Sequence, residues 1–293
     1  MKLLITGING FLGRHLTNYL AGKGFSVTAT GRNNAKGTLL NSVKFISADL
    51  LNTQQSFEMV NELQPNVIIH TAAMSKPDEC EQQKELCLQT NLEATKILAN
   101  AAKQVSAKFI FISTDFVLGE GENHIETSIP NPLNFYAQSK LMAEIYIQQH
   151  LDNYCIIRPV LIYGKHIEGI RNTFIDWVQQ SLQAGKQIKV VNDQFRTPTF
   201  LDDICFGIER IISLDKTGIY HLAGEQILTP YSMAVKIANH LQLDCNLIIP
   251  VDENSFPEPV KRAKRSIVNI DKAKAELDYQ PLSFDEGLRR AVN

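Results

Sequence analysis

The chain has 293 residues, of which 44% are hydrophobic and 20% charged, and its formal net charge is −2. That length can bury the core of one large domain or two smaller ones, and the near-neutral charge gives no reason to expect nucleic acid as a partner. No apolar run approaches the ~20 residues that cross a bilayer, and the opening "MKLLITGING" has too short an apolar run to read as a signal peptide.

Five cysteines, an odd number with no C-x-x-C, fit reduced thiols in a cytoplasmic protein, and Cys80 and Cys87 are read as free. Seven histidines are scattered with none at i, i+4, so no metal site and no nucleophile–histidine motif is legible.

In chain order, "KLLIT" (2–6), "SVTAT" (26–30), "VKFIS" (43–47), "NVIIHT" (66–71), "KFIFIS" (108–113) and "YCIIR" (154–158) read as strands. Several are apolar throughout, as strands covered on both faces must be. Helical stretches at roughly 11–22, 53–63, 83–104 and 135–150 lie between them. This alternation predicts an α/β fold with a doubly wound parallel sheet. Beyond about residue 165 helices dominate (172–184, 201–214, 230–242), with short strands near 188–191, 218–222 and 246–250. The polar stretch 252–266 reads as a loop, and the tail as two short helices. The expected layout is a dinucleotide-binding Rossmann domain over 1–165. A smaller α/β part over 166–293 would be mainly substrate-binding, with the chain crossing back to the first domain.

"TGINGFLG" sets Gly7, Gly10 and Gly13 between the first strand and the first helix, where a dinucleotide-binding turn belongs. The backbone of Asn9, Phe11 and Leu12 shares that turn, whose helix start offers free N–H groups to a pyrophosphate. At the end of the second strand "TATGRN" has no acid for a ribose 2′-OH but has Arg32, which suits a 2′-phosphate. NADP(H) is therefore favoured and NAD(H) stays open, as does a solvated loop for Arg32. Asp49, beside Leu50, reads either as an adenine contact or as the cap of the helix near residue 53. Thr71, Ala72 and Ala73 supply small residues at the end of the fourth strand.

Tyr136 stands four residues before Lys140 at the start of the helix that follows the fifth strand. The same spacing occurs at Tyr19 and Lys23, but late in the first helix, at the end of the sheet away from the glycine turn. Ligands of such sheets bind at the carboxyl ends of the strands, so Tyr136 is the candidate. A nearby ammonium is expected to lower the phenol pKa and fit it for proton transfer near neutral pH. Ser113 and Thr114, ending the fifth strand, offer hydroxyls to a substrate carbonyl oxygen.

Together these residues resemble the extended short-chain dehydrogenase/reductase superfamily, and within it the dTDP-4-dehydrorhamnose reductases. The likeness rests on "PNVIIHTAAMSKPDECE" (65–81), "TNLEATKILANAA" (90–102), "FISTDFVLGEG" (111–121), "PLNFYAQSKLMAE" (132–144) and "DQFRTPTFLDDI" (193–204). The resemblance implies Thr114, Tyr136 and Lys140 as catalytic residues, with Tyr136, Lys140 and Asn91 also on the cofactor side. It implies Ser75, Thr114, Asp115, Arg196 and Arg262 on the substrate side, Arg262 near a diphosphate. The activity it implies is NADP(H)-dependent reduction of a nucleotide-activated 4-keto deoxysugar, with dTDP-4-dehydrorhamnose to dTDP-rhamnose as the expected conversion. The partner is then a small nucleotide sugar, and a homodimer is left open. The alternatives are an epimerase or dehydratase that retains NAD, the dehydratase needing an added acid–base pair for which Asp115 and Glu120 stand after Thr114, or a non-catalytic cofactor-binding regulatory subunit. Three positions depart from the family pattern: Phe116 for tyrosine, Arg196 for a small residue, and Ala263 for proline.

Overall fold

The computed structural model describes residues 1–35, 39–170, 172–256 and 260–292. The strands in chain order are β1 (Lys2–Thr6), β2 (Ser26–Gly31), β3 (Lys44–Ser47), β4 (Val67–His70), β5 (Lys108–Ile112), β6 (Gly121–His124) and β7 (Tyr154–Pro159). They continue with β8 (Ile162–Tyr163), β9 (Ile188–Val191), β10 (Thr199–Phe200), β11 (Gly218–Leu222), β12 (Ile248–Val251) and β13 (Ser266–Val268). The helices are α1 (Phe11–Gly22), α2 (Thr53–Leu63), α3 (Pro77–Gln82), α4 (Lys84–Leu88), α5 (Ala94–Gln104) and α6 (Phe135–His150). After them come α7 (Phe174–Gln183), α8 (Leu201–Ser213), α9 (Pro230–His240), α10 (Asp271–Leu277) and α11 (Phe284–Val292).

Seven strands form a parallel sheet in the order β11-β7-β5-β4-β1-β2-β3. Every residue of β4 and β5 is buried, because helices cover both faces. Leu12, Leu16 and Leu20 of α1 pack with Ile204, Ile208 and Ile211 of α8 on one face. On the other, Met59 and Val60 of α2 meet Leu98 of α5 and Ile147 of α6. A third apolar cluster joins α7, α9 and α11 with β9 and β12. The strand order reverses between β1 and β4, which opens a crevice at the carboxyl ends of these strands.

The strand expected near 218–222 lies beyond residue 165, yet it forms the edge of the main sheet beside β7. The helix expected over 83–104 is divided: α4 runs into a π turn at Gln89–Glu93 and then into α5. The extra residue of a π turn rotates the side chains that follow it, and such turns often mark functional positions. The polar stretch 252–266 ends in strand β13, paired with β6; its Pro257, Glu258 and Pro259 lie outside the described residues. No helix among the described residues is long and apolar enough to cross a membrane.

Candidate active site

The glycine turn is set by close approach. Gly7 has φ +77°, and a Cβ there would stand 2.6 Å from the Ala72 nitrogen; a Cβ on Gly13 would collide with the carbonyl oxygen of Gly7 and the Thr71 hydroxyl. Gly10 caps α1 without a side-chain bond, so the first turn presents bare N–H groups. Asn9 fastens the turn to the chain after β2, donating to the carbonyls of Asn33 and Asn34 at 3.4 and 3.2 Å.

A cavity of about 340 Å³ opens beside this turn, lined by Gly31, Arg32, Asp49, Leu50, Ala72 and Ala73 among others. Arg32 is exposed and makes no ion pair among the described residues. Asp49 does not cap α2: Asn52 does, accepting from Gln55 N at 3.0 Å, while Asp49 accepts from Leu51 N at 3.2 Å in a local turn. A second cavity of about 490 Å³ continues past Phe11, Leu12, Ser75, Thr114, Asp115, Tyr136, Lys140, Arg196 and Arg262. A third, of about 500 Å³, lies beyond Arg262 and is walled by Phe174, Trp177, Val190 and Phe256.

Asn134 caps α6, accepting from Ala137 N at 3.0 Å, and its amide donates to Lys261 O at 3.0 Å. Tyr136 and Lys140 thus start the helix on one face, both buried and both lining the cleft. Burial pushes the Tyr136 phenol well above its ordinary pKa, and the Thr114 hydroxyl beside it acts in the opposite direction. The lowering by Lys140 expected from sequence is absent, because desolvation dominates. Lys140 itself is pushed down to about 7 by burial, against the pull of Glu144. Glu144 is held by a buried two-point ion pair with Arg158 of β7, at 3.0 and 2.6 Å.

Asn91, expected at the cofactor, lines neither of these cavities. It is fully buried on the π turn, accepts from Met74 N at 2.7 Å and donates to Met74 O at 3.0 Å and Ser139 Oγ at 2.9 Å. It therefore fixes the strand-end loop 71–76 to α6. His70, which sequence reading missed, is a neutral link: burial lowers it to about 3, and it bonds Thr6 at 2.7 Å and Thr95 at 3.1 Å. An isolated histidine in an apolar strand gives no signal of that role. Tyr19 and Lys23 instead both meet Glu209 of α8, at 2.8 and 3.5 Å, away from the cleft.

Over its whole length, residues 1–293, the chain matches the family described as RmlD substrate binding domain. It belongs to that family. A dTDP-4-dehydrorhamnose reductase of Aggregatibacter actinomycetemcomitans is 27% identical over 302 residues, which cover 98% of this chain and 97% of the relative. Methionine adenosyltransferase 2 subunit beta of Xenopus laevis is 30% identical over 271 residues, 90% of this chain and 78% of the relative. The solved dTDP-4-dehydrorhamnose reductase of Bacillus anthracis, in complex with NADP, superposes with a TM-score of 0.88 at 27% identity, covering 99% of this chain and 98% of that one.

The three departures from the family pattern touch one another. Arg196 Nη2 donates to Ala263 O at 2.5 Å, and the Arg196 guanidinium lies 5.9 Å from the centre of the Phe116 ring. Arg196 and Phe116 line the cleft next to Asp115, and Ala263 shares a small neighbouring pocket with Phe116. Burial raises Asp115 to about 6 against the opposing pull of Arg196. Glu120, the other member of the expected dehydratase pair, is committed elsewhere: its carboxylate accepts from the backbone nitrogens of Lys264 at 2.6 Å and Arg265 at 3.0 Å. Arg262 pairs with Asp78 at 2.8 Å where the second and third cavities meet. No cluster of metal-binding side chains occurs among the described residues.

The residues fit a dinucleotide. The cradle at Gly7 and Gly13 has no room for side chains, the helix start is bare, and Arg32, without an ion pair among the described residues, stands beside the cavity where an acid would disfavour a 2′-phosphate.

Proposed function

We propose that the chain is an NADP(H)-dependent reductase of a nucleotide-activated 4-keto deoxysugar, converting dTDP-4-dehydrorhamnose to dTDP-rhamnose. The observation that carries this reading is Thr114, Tyr136 and Lys140 lining one wall of a cleft continuous with Gly10 and Gly13 of the glycine turn. NADPH would lie from Arg32 and Asp49 across the glycine turn to Lys140, and it supplies the hydride when bound. Tyr136 gives its proton to the developing alkoxide, and Thr114 orients the carbonyl oxygen. Lys140 holds positive charge beneath the site. Arg262 takes the diphosphate by exchanging Asp78 for phosphate oxygens. Phe174, Trp177 and Phe256 of residues 166–293 offer apolar faces to the base, so that part of the chain serves mainly the substrate and residues 1–165 the cofactor. A cytoplasmic setting belongs to this reading, and sedimentation would decide between monomer and homodimer.

NADPH oxidation measured against a panel of nucleotide 4-keto sugars tests it; no oxidation with any of them sinks it. The likeness to methionine adenosyltransferase 2 subunit beta favours a second reading, a cofactor-binding subunit without turnover of its own. That reading expects NADPH to bind and no sugar to be reduced. A dehydratase is disfavoured because the Glu120 carboxylate is occupied by backbone N–H groups.

A further inference from the structure

Asp115 holds an unusual place beside the reacting groups. It is almost fully buried and lines the cleft. Its Oδ1 accepts from the Thr114 hydroxyl at 3.2 Å, while its Oδ2 is buried with no hydrogen-bond partner among the described residues. Ser266 of β13 flanks it, its hydroxyl outside good hydrogen-bond geometry among the described residues yet near enough to favour the carboxylate. Buried carboxylate oxygens are normally bonded, and an exception in a cleft calls for a reason. Arg196, the cation whose charge acts on Asp115, has its guanidinium on the carbonyls of Phe195 at 2.7 Å and Ala263 at 2.5 Å.

The Thr114 hydroxyl has one proton and two lone pairs. One lone pair takes the Phe116 N–H at 3.2 Å. An ionised carboxylate can only accept, so against an ionised Asp115 the single Thr114 proton points away from the cleft. Thr114 is then an acceptor alone, and the Tyr136 O–H beside it turns toward it. A substrate carbonyl oxygen placed there meets no donor from Thr114. Against a neutral Asp115 the pattern reverses: the acid O–H donates to Thr114 Oγ1, and Thr114 turns its own proton to the cleft.

We propose that Asp115 is a positioning residue that directs the Thr114 proton, withdrawing it from the substrate oxygen as a carboxylate and releasing it to that oxygen as a neutral acid. The proposal rests on the reductase reading. Burial holds Asp115 near 6, within reach of ordinary pH. The groups facing it agree with that placement. Arg196, the Thr114 hydroxyl and Ser266 of β13 favour the carboxylate, yet desolvation outweighs them. Tyr136 on α6 is a neutral phenol at such pH, and Glu120 acts on Arg196 from its seat on the 264–265 backbone. Lys140 acts on His70, Cys80 and Cys87.

Because the neutral acid is the productive form, kcat for ketone reduction should be highest below about 6 and fall as pH rises through it. Loss of one hydrogen-bond donor to the reacting oxygen costs up to ~10²–10³ in kcat, which bounds the fall. In Asp115→Asn the amide N–H can donate to Thr114 at every pH, so the step near 6 should vanish, leaving only the later fall as Lys140 loses its charge through about 7. In Thr114→Val the rate should be low throughout with no step near 6. A flat wild-type profile, or the same step in Asp115→Asn, overturns the proposal. A ¹³C-carboxyl titration of Asp115 gives a readout without turnover. Thr114→Val removes the donor to the carboxylate, so the midpoint should move upward; an unmoved midpoint also overturns the proposal. A wild type that reduces no 4-keto sugar nucleotide sinks the reductase reading alone, and the titration in Thr114→Val still decides the proton arrangement.

Discussion

The Lys140 ammonium stands 3.9 Å over the Phe111 ring and makes no hydrogen bond or ion pair among the described residues. An aromatic face offsets only part of the cost of removing such a charge from water. The depressed pKa of Lys140 follows from that imbalance, and so does a stability cost that loss of the proton or a bound partner would relieve.

The cost has a pH signature. Lys140 falls from an ordinary 10.5 to about 7 on folding. Between those values the unfolded chain holds the proton and the folded chain does not, so stability rises with pH across that window. Below about 7 the folded chain carries the buried charge and the full penalty. Lys140→Met should therefore raise Tm at about pH 6, and the gain should shrink by about pH 9. Calorimetry at the two values checks this; a gain that is the same at both would place the effect in packing instead of charge.

Cofactor choice should follow Arg32. Arg32→Ala removes the one cation read for a 2′-phosphate, so NADPH should weaken by roughly 1.5 kcal/mol, the low end for a charged hydrogen bond because the side chain is exposed. NADH should be nearly unaffected. Fluorescence titration of both cofactors decides it, and equal losses would return Arg32 to a solvated loop.

Arg262 should separate substrate binding from stability. Its pair with Asp78 is partly exposed, and exposed pairs contribute ~0–1 kcal/mol. Arg262→Ala should leave Tm nearly unchanged while raising KM for the nucleotide sugar about tenfold or more, the effect of losing a charged contact. Unchanged substrate kinetics would confine Arg262 to its Asp78 contact.

Much of this was legible because it is local. Strands such as "VIIH" and "KFIFI" are apolar throughout since both faces are covered, and the glycines sit where the first strand meets the first helix. Tyr136 could be told from Tyr19 by its place after the fifth strand, since only that end of the sheet carries the crevice. What was hidden depends on long-range contact. β8 and β10 have two residues each and pair across the cleft wall, too short for any periodicity. Glu120 binds the backbone of Lys264 and Arg265, 144 and 145 positions away, so it looked free to act as an acid. The sign of the Tyr136 shift was misread for the same reason: spacing shows the lysine, but burial, which prevails, appears only in the fold.

The Tyr136 proton gives the most decisive prediction. Tyr136→Phe keeps the ring and its edge contact with Phe116, at 6.0 Å between centroids, and removes only the hydroxyl. A general acid typically contributes ~10²–10⁴ in rate, so single-turnover hydride transfer should fall by that factor while NADPH affinity is retained. Lys140→Met should lose rate and also weaken NADPH, since its ammonium lies under the same wall of the cleft. Tyr19→Phe is the control: it has the same spacing to a lysine, but its hydroxyl is bonded to Glu209 on α8. It should change stability by about 1 kcal/mol, the ordinary contribution of one hydrogen bond, and turnover little. Near-wild-type transfer in Tyr136→Phe, with the control behaving as expected, would remove the phenol from the chemistry. The chain would remain a reductase, with the proton supplied by another group lining the cleft, such as Thr114 or Lys140.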